Sequence, residues 1–106
     1  MENQGMRPHY VIRCSETKIA IADLTELEGG FYINRINVPE QFRGQRIGAR
    51  LLKMVLDDAD KEGVTLFIDI SPYGKMTHDD LRQWYERNGF KQRKLGDFKR
   101  GPRVGI

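Results

Sequence analysis

The chain has 106 residues, 39% of them hydrophobic and 31% charged, with a net charge of +3. That length and balance describe one domain with a modest core and exclude a disordered chain. A lone cysteine, Cys14, excludes an internal disulfide, and one cysteine with two separated histidines makes a poor zinc ligand set.

No apolar run approaches the ~20 residues that span a bilayer. The opening MENQGMRPHYVI lacks a charged region leading into an apolar stretch, so it does not read as a secretory signal. The expectation is a cytoplasmic, metal-free, single-domain protein over residues 1–106. Charge is unevenly spread. Residues 1–90 carry 12 Lys/Arg against 14 Asp/Glu, while residues 91–106 carry six basic side chains against Asp97 alone. This basic end either meets an acidic protein, a nucleotide or nucleic acid, or is a solvated strand.

In chain order, residues 10–14 alternate weakly and are β-prone. Residues 18–24 (KIAIADL) place Ile19 and Ile21 on one face of a half-buried strand, with Glu16 and Thr17 in the turn before it. Glu28-Gly29-Gly30 is a second turn, and residues 31–38 (FYINRINV) form a longer strand. The first third is therefore an antiparallel meander. Pro39 ends it by removing a ladder donor.

A helix follows. Ile47, Leu51, Val55 and Ala59 recur every four residues, Leu52 and Leu56 widen the stripe, and Arg50, Lys53, Asp57, Asp60 and Lys61 fill the other side. Gly63 stops it. In residues 65–71 (TLFIDIS), Leu66, Ile68 and Ile70 share one face of a strand, and Phe67, Asp69 and Ser71 the other. Strand, helix and strand make a βαβ unit, whose right-handed crossover makes the two strands parallel.

Pro72-Tyr73-Gly74 reads as a turn. Thr77, with Asp80 three residues on, is a capping box for a second helix carrying Leu81, Trp84 and Tyr85 on one face. That helix stops at Asn88-Gly89. Residues 90–93 and 98–100 close the chain as two short strands. His9 and His78 read as exposed, and Cys14 as a strand residue without a basic partner.

Two segments stand out. The first, QFRGQRIGARLLKMVL at residues 41–56, leads from a strand through a short turn into a helix, an arrangement whose amides cradle phosphate at the positive end of the helix dipole. Its spacing is neither a dinucleotide fingerprint nor a P-loop. The second is Tyr85-Glu86-Arg87-Asn88-Gly89-Phe90. Together and in this order they resemble the GNAT superfamily of acetyl-coenzyme-A-dependent N-acetyltransferases.

The family's phosphate loop, R/Q-x-x-G-x-G/A, is matched from Arg43 to Gly48 with one departure: Arg46 stands at the first glycine. The family's Y-x-x-x-G-F segment is matched throughout. If Arg46 keeps a helical φ, its side chain projects outward toward the 3′-phosphate of coenzyme A. If the position needs a positive φ, the arginine is strained.

The resemblance covers about residues 10–100. It implies a mixed α/β (α+β) fold with a splayed sheet of about six to seven strands: an antiparallel N-terminal meander, a central βαβ unit and two main helices. It further implies that acetyl-CoA lies along Ile36, Asn37 and Val38, with its pyrophosphate on the amides of Arg43, Gly44, Gln45, Arg46, Ile47, Gly48 and Ala49. Tyr85 corresponds to the family's tyrosine near the thioester sulfur, a general acid for the leaving thiolate. By spacing alone Tyr85 reads as a core residue beside Leu81 and Trp84, whereas the motif favours the acid.

Asp69 alternates away from the apolar face and is a candidate base for an amine. The family's helices between the first strands are missing, replaced by the turn at Ser15-Glu16-Thr17. That leaves a shallow acceptor side, suited to a lysine or N-terminal amine of a protein. Compact members of this length resemble proteins of mobile elements and bacteriophages that act on host proteins.

The expected function is acetyl transfer from acetyl-CoA to an amine by direct attack in a ternary complex, as a monomer or homodimer. The loop addresses coenzyme A phosphates, so another acyl donor is compatible with it. The alternative is a catalytically silent scaffold binding protein or nucleic acid through its basic end. Only Phe98 among Lys94, Lys99 and Arg100 offers stacking there, which disfavours nucleic acid.

Overall fold

The computed structural model describes residues 5–69 and 77–103. The elements are β1 (His9–Arg13), β2 (Ile19–Leu27), β3 (Gly30–Asn37), a 3-10 turn (Glu40–Phe42), α1 (Ile47–Glu62), β4 (Leu66–Ile68), α2 (His78–Arg87), β5 (Lys91–Gln92) and β6 (Phe98–Arg100). The six strands form one sheet in the order β1-β2-β3-β4-β6-β5. β3 and β4 run parallel, as the crossover rule requires. β6 inserts antiparallel beside β4, which leaves the two-residue β5 at the edge. The mixed sheet and two helices are the expected fold, with six strands. Ile70, Ser71 and the turn at residues 72–74 lie outside the described residues.

α1 begins at the first residue of the apolar stripe and ends at Gly63, which adopts φ 70°. Ile47, Leu51, Leu52, Val55, Leu56 and Ala59 are its buried face. At α2 the capping box forms in both directions: the Asp80 amide donates to Thr77 Oγ1 (3.1 Å) and the Thr77 amide to Asp80 Oδ2 (3.2 Å). No described helix is long and apolar enough to cross a membrane.

One strand faces the other way from expectation. In β2 the buried side chains are Ala20, Ala22 and Leu24, while Ile19 is 45% exposed. The reason is volume. The leucines and valine of α1 fill the layer above the sheet, so the positions beneath them carry methyl groups and the isoleucines turn outward. Hydrophobicity ranks isoleucine over alanine and so picks the wrong face.

β2 and β3 lose register between Asp23 and Leu24: Asp23 pairs with Arg35, but Leu24 pairs with Ile33. Asn34 is therefore the extra residue of a β-bulge, and its side-chain amide donates to Thr25 Oγ1 at 2.8 Å. On its other side β3 meets β4 only through Phe31–Leu66, Tyr32–Phe67 and Ile33–Ile68. From the bulge onward β3 stays with β2 and has no β4 partner among the described residues. Among the described residues, the β3–β4 ladder ends at this point.

Candidate functional site

The parting of β3 and β4 makes a cleft of about 120 Å³, lined by Asn34, Arg35 and Ile36 from β3, Ile68 and Asp69 at the end of β4, and Leu81 and Tyr85 from α2. At about 30 Å³ per water this is a slot for a thin chain, smaller than the 300 Å³ and more of an enclosed drug-sized pocket. Of the residues singled out in the sequence, Ile36, Asp69 and Tyr85 meet here.

Tyr85 is both things its sequence allowed. It is 6% exposed, packs edge-on against Phe90 with ring centroids 5.5 Å apart, and lines the cleft. Asp69 is exposed, the first residue beyond the last β3–β4 rung. The phenol of Tyr32 donates to its Oδ2. This bond, more than partial burial, pushes the Tyr32 phenol up to about 12. Sequence reasoning missed Tyr32, because nothing local joins positions 32 and 69.

The phosphate-loop segment lies against the same strand. A Cβ built on Gly48 would stand 3.7 Å from Val38 Cγ2 and 4.0 Å from Ile36 Cγ2, so the start of α1 rests on the residues that lead into the cleft. Arg43 Nε donates to the Val38 carbonyl at 3.0 Å and straps the turn to the end of β3. Gly44 has φ 85° and Arg46 φ 64°. Arg46 thus takes the left-handed conformation that favours glycine, and it does so as the residue that starts α1, without a side-chain cap. The outward-pointing, helical alternative is not the one adopted.

From Gly44 to Ala49, six successive amides have no acceptor among the described residues. They open a 16-residue helix, where the dipole favours anions. Gly48 needs neither a positive φ nor the lack of a Cβ for packing, since both contacts there are ordinary van der Waals distances. What a glycine adds there is a backbone that a ligand can approach closely. These features fit a pyrophosphate. Asn37 ends β3 and is exposed, and Val38, just past the strand, is buried.

Gly89 has a different explanation. Its φ is 96°, and an added Cβ would stand 2.6 Å from Arg103 Nη2 and 3.2 Å from Arg100 Nε. That glycine serves packing under two arginines. The basic end is divided: Lys91, Lys94, Lys99 and Arg103 are exposed, whereas Arg100 is not. Arg100 is 3% exposed, held by Asp60 and by the Asn88 carbonyl. Phe98 is fully buried, and Arg93 pairs with Asp97. Neither Arg100 nor Phe98 can meet a nucleic acid. His9 and His78 are exposed, and the Cys14 thiol donates to the Ile12 carbonyl at 3.7 Å.

A family model of the acetyltransferase (GNAT) domain matches residues 6–92. Several solved structures are similar. The anti-CRISPR protein AcrVA5 is 20% identical over 88% of this chain and 98% of its own, with a TM-score of 0.65. A candidate acetyltransferase from Agrobacterium tumefaciens is 28% identical over 88% of this chain and 72% of its own, with a TM-score of 0.62. The ribosomal-protein-S18-alanine N-acetyltransferase of Escherichia coli is 19% identical over 86% and 67%, with a TM-score of 0.65. No curated protein matches the chain.

Proposed function

The chain belongs to the GNAT acetyltransferase family, and from that premise we propose that it moves an acetyl group from acetyl-CoA to a protein amine, a lysine or an N-terminus, by direct attack in a ternary complex. One observation carries the reading. Six amides at the start of α1 have no acceptor among the described residues, and Gly48 in that run lies against Ile36, which lines the cleft together with Tyr85 and Asp69. An anion site joined to a slot suits a ligand with a diphosphate at one end and a thin arm at the other. Acetyl-CoA is such a ligand, and when bound it supplies the activated thioester carbonyl.

In this reading the amides of residues 44–49 hold the pyrophosphate, the Arg43 amide being spent on the Glu40 carbonyl at 3.2 Å, and the main chain of Ile36, Asn37 and Val38 pairs with the pantetheine arm. Asp69 takes a proton from the acceptor nitrogen, directly or through a water, as nitrogen bonds to the acyl carbon. Tyr85 gives a proton to the departing sulfur, a role open to a phenolic O–H donor. The shallow cleft supports a partner that brings its own surface. An enzyme acting on a ribosomal-protein alanine shares this fold, so the scaffold is compatible with such an acceptor.

The test is direct. Acetyl-CoA at 100 times its Kd should stabilise the protein by about 2.7 kcal/mol, and labelled acetyl-CoA should mark an acceptor protein. No thermal shift with acetyl-CoA would sink the reading.

A further inference from the structure

We propose that Tyr32 is a positioning residue of the acceptor site: its phenol fixes the Asp69 carboxylate at the mouth of the cleft, with the second oxygen presented to the incoming amine. This rests on the function proposed above and extends it to a residue outside the family's motifs.

The geometry is as follows. The β3–β4 ladder ends at Ile33–Ile68, so Asp69 has no rung to hold it. Tyr32 sits opposite Phe67, one diagonal step back from Asp69 on the neighbouring strand. Diagonal neighbours lie within reach of an aromatic side chain. The hydroxyl donates to Oδ2, and Oδ1 has no hydrogen-bond partner among the described residues. Asp69 lines the cleft with Tyr85, whereas Tyr32 does not. One oxygen is therefore held by the phenol, and the other is left for an incoming amine.

The support is rigid. A tyrosine has only two side-chain torsions to lose, and the backbone of Tyr32 is fixed in the β3–β4 ladder. The phenol, pushed up to about 12, stays a donor throughout the neutral range. Arg35 also lines the cleft, but its ion-pair partner is Asp23, 3.6 Å from Nε, and it makes no hydrogen bond to Asp69. Tyr32 is thus the group that decides where the Asp69 carboxylate points.

The experiment measures thiol release from acetyl-CoA, with a pool of peptides bearing free N-termini and internal lysines as acceptor. It compares wild type, Tyr32→Phe, Asp69→Asn and the double variant. Tyr32→Phe should lower kcat/KM for the peptide pool roughly tenfold, within what a 1 Å misplacement costs. The KM for acetyl-CoA and the melting temperature should stay at wild-type values.

The double variant should be no worse than Asp69→Asn, because the phenol acts through the carboxylate. Tyr32→Phe at the wild-type rate would overturn the proposal, as would losses that multiply in the double variant. A fall in melting temperature with both KM values raised would mark a merely structural role and also overturn it. Failure of the acetyltransferase reading would look different: wild type itself would release no thiol with any peptide, and the positioning role would fall with it.

Discussion

Arg100 holds Asp60 across 40 positions of sequence through two hydrogen bonds, Nη1 to Oδ1 at 2.8 Å and Nη2 to Oδ2 at 3.1 Å. Its Nε donates to the Asn88 carbonyl at 2.8 Å, so one buried side chain ties β6 to the ends of both helices. Asp60 also accepts the Arg103 amide at 2.8 Å. Such a pair is weak evidence for stability as a whole, yet removing one partner leaves a charge uncompensated.

Replacing Arg100 with methionine should therefore destabilise the fold by about 3 kcal/mol, the low end for a broken buried pair because Asp60 keeps some solvent. Arg100 holds the Asp60 carboxyl below its usual 3.8. A carboxyl depressed in the folded state contributes stability above its unfolded pKa and loses it as pH falls through the folded one. The contribution is complete at neutral pH and disappears on acidification below 3.8. Urea unfolding of both proteins at about pH 7 and about pH 3 should show the gap narrowing in acid.

Arg46 stands at φ 64°, where an L side chain costs roughly 1–2 kcal/mol. Arg46→Gly should raise stability by about 1 kcal/mol and preserve or improve coenzyme A binding, read by calorimetric titration. A large loss of affinity would show that the arginine contacts a phosphate itself.

Gly48→Ala separates folding from binding. The new methyl meets only ordinary contacts at 3.7 and 4.0 Å, and alanine favours a helix over glycine by about 0.5 kcal/mol or more. Melting temperature should hold or rise while coenzyme A affinity falls about tenfold, a loss of roughly 1.4 kcal/mol. Unchanged affinity would mean that no ligand approaches the backbone there.

Tyr85→Phe keeps the ring that packs on Phe90. Loss of a general acid should lower kcat by about 100-fold, the low end of what such groups contribute, with coenzyme A binding retained. Steady-state kinetics with a saturating acceptor peptide would show it. An unchanged kcat would return Tyr85 to the core alone.

Much of this protein is legible locally. The four-residue recurrence from Ile47 to Ala59, the Thr77–Asp80 capping box and the stop at Gly63 each rest on neighbours within a turn or two, so the sequence by itself determined them. The same holds for the run of amides before α1 and for Tyr85 and Gly89 as a pair worth noticing. Other features needed the folded chain. The face of β2 depended on the volume of α1 above it. The bulge at Asn34, which opens the cleft, exists only as a mismatch between two paired strands. Arg100 reads as one more exposed base until Asp60 and Asn88 close over it, and Tyr32 reads as a strand tyrosine until β4 brings Asp69 beside it. Periodicity and capping are properties of adjacent residues. Burial, register and the partner of a charge belong to residues tens of positions apart, and only the tertiary structure decided those.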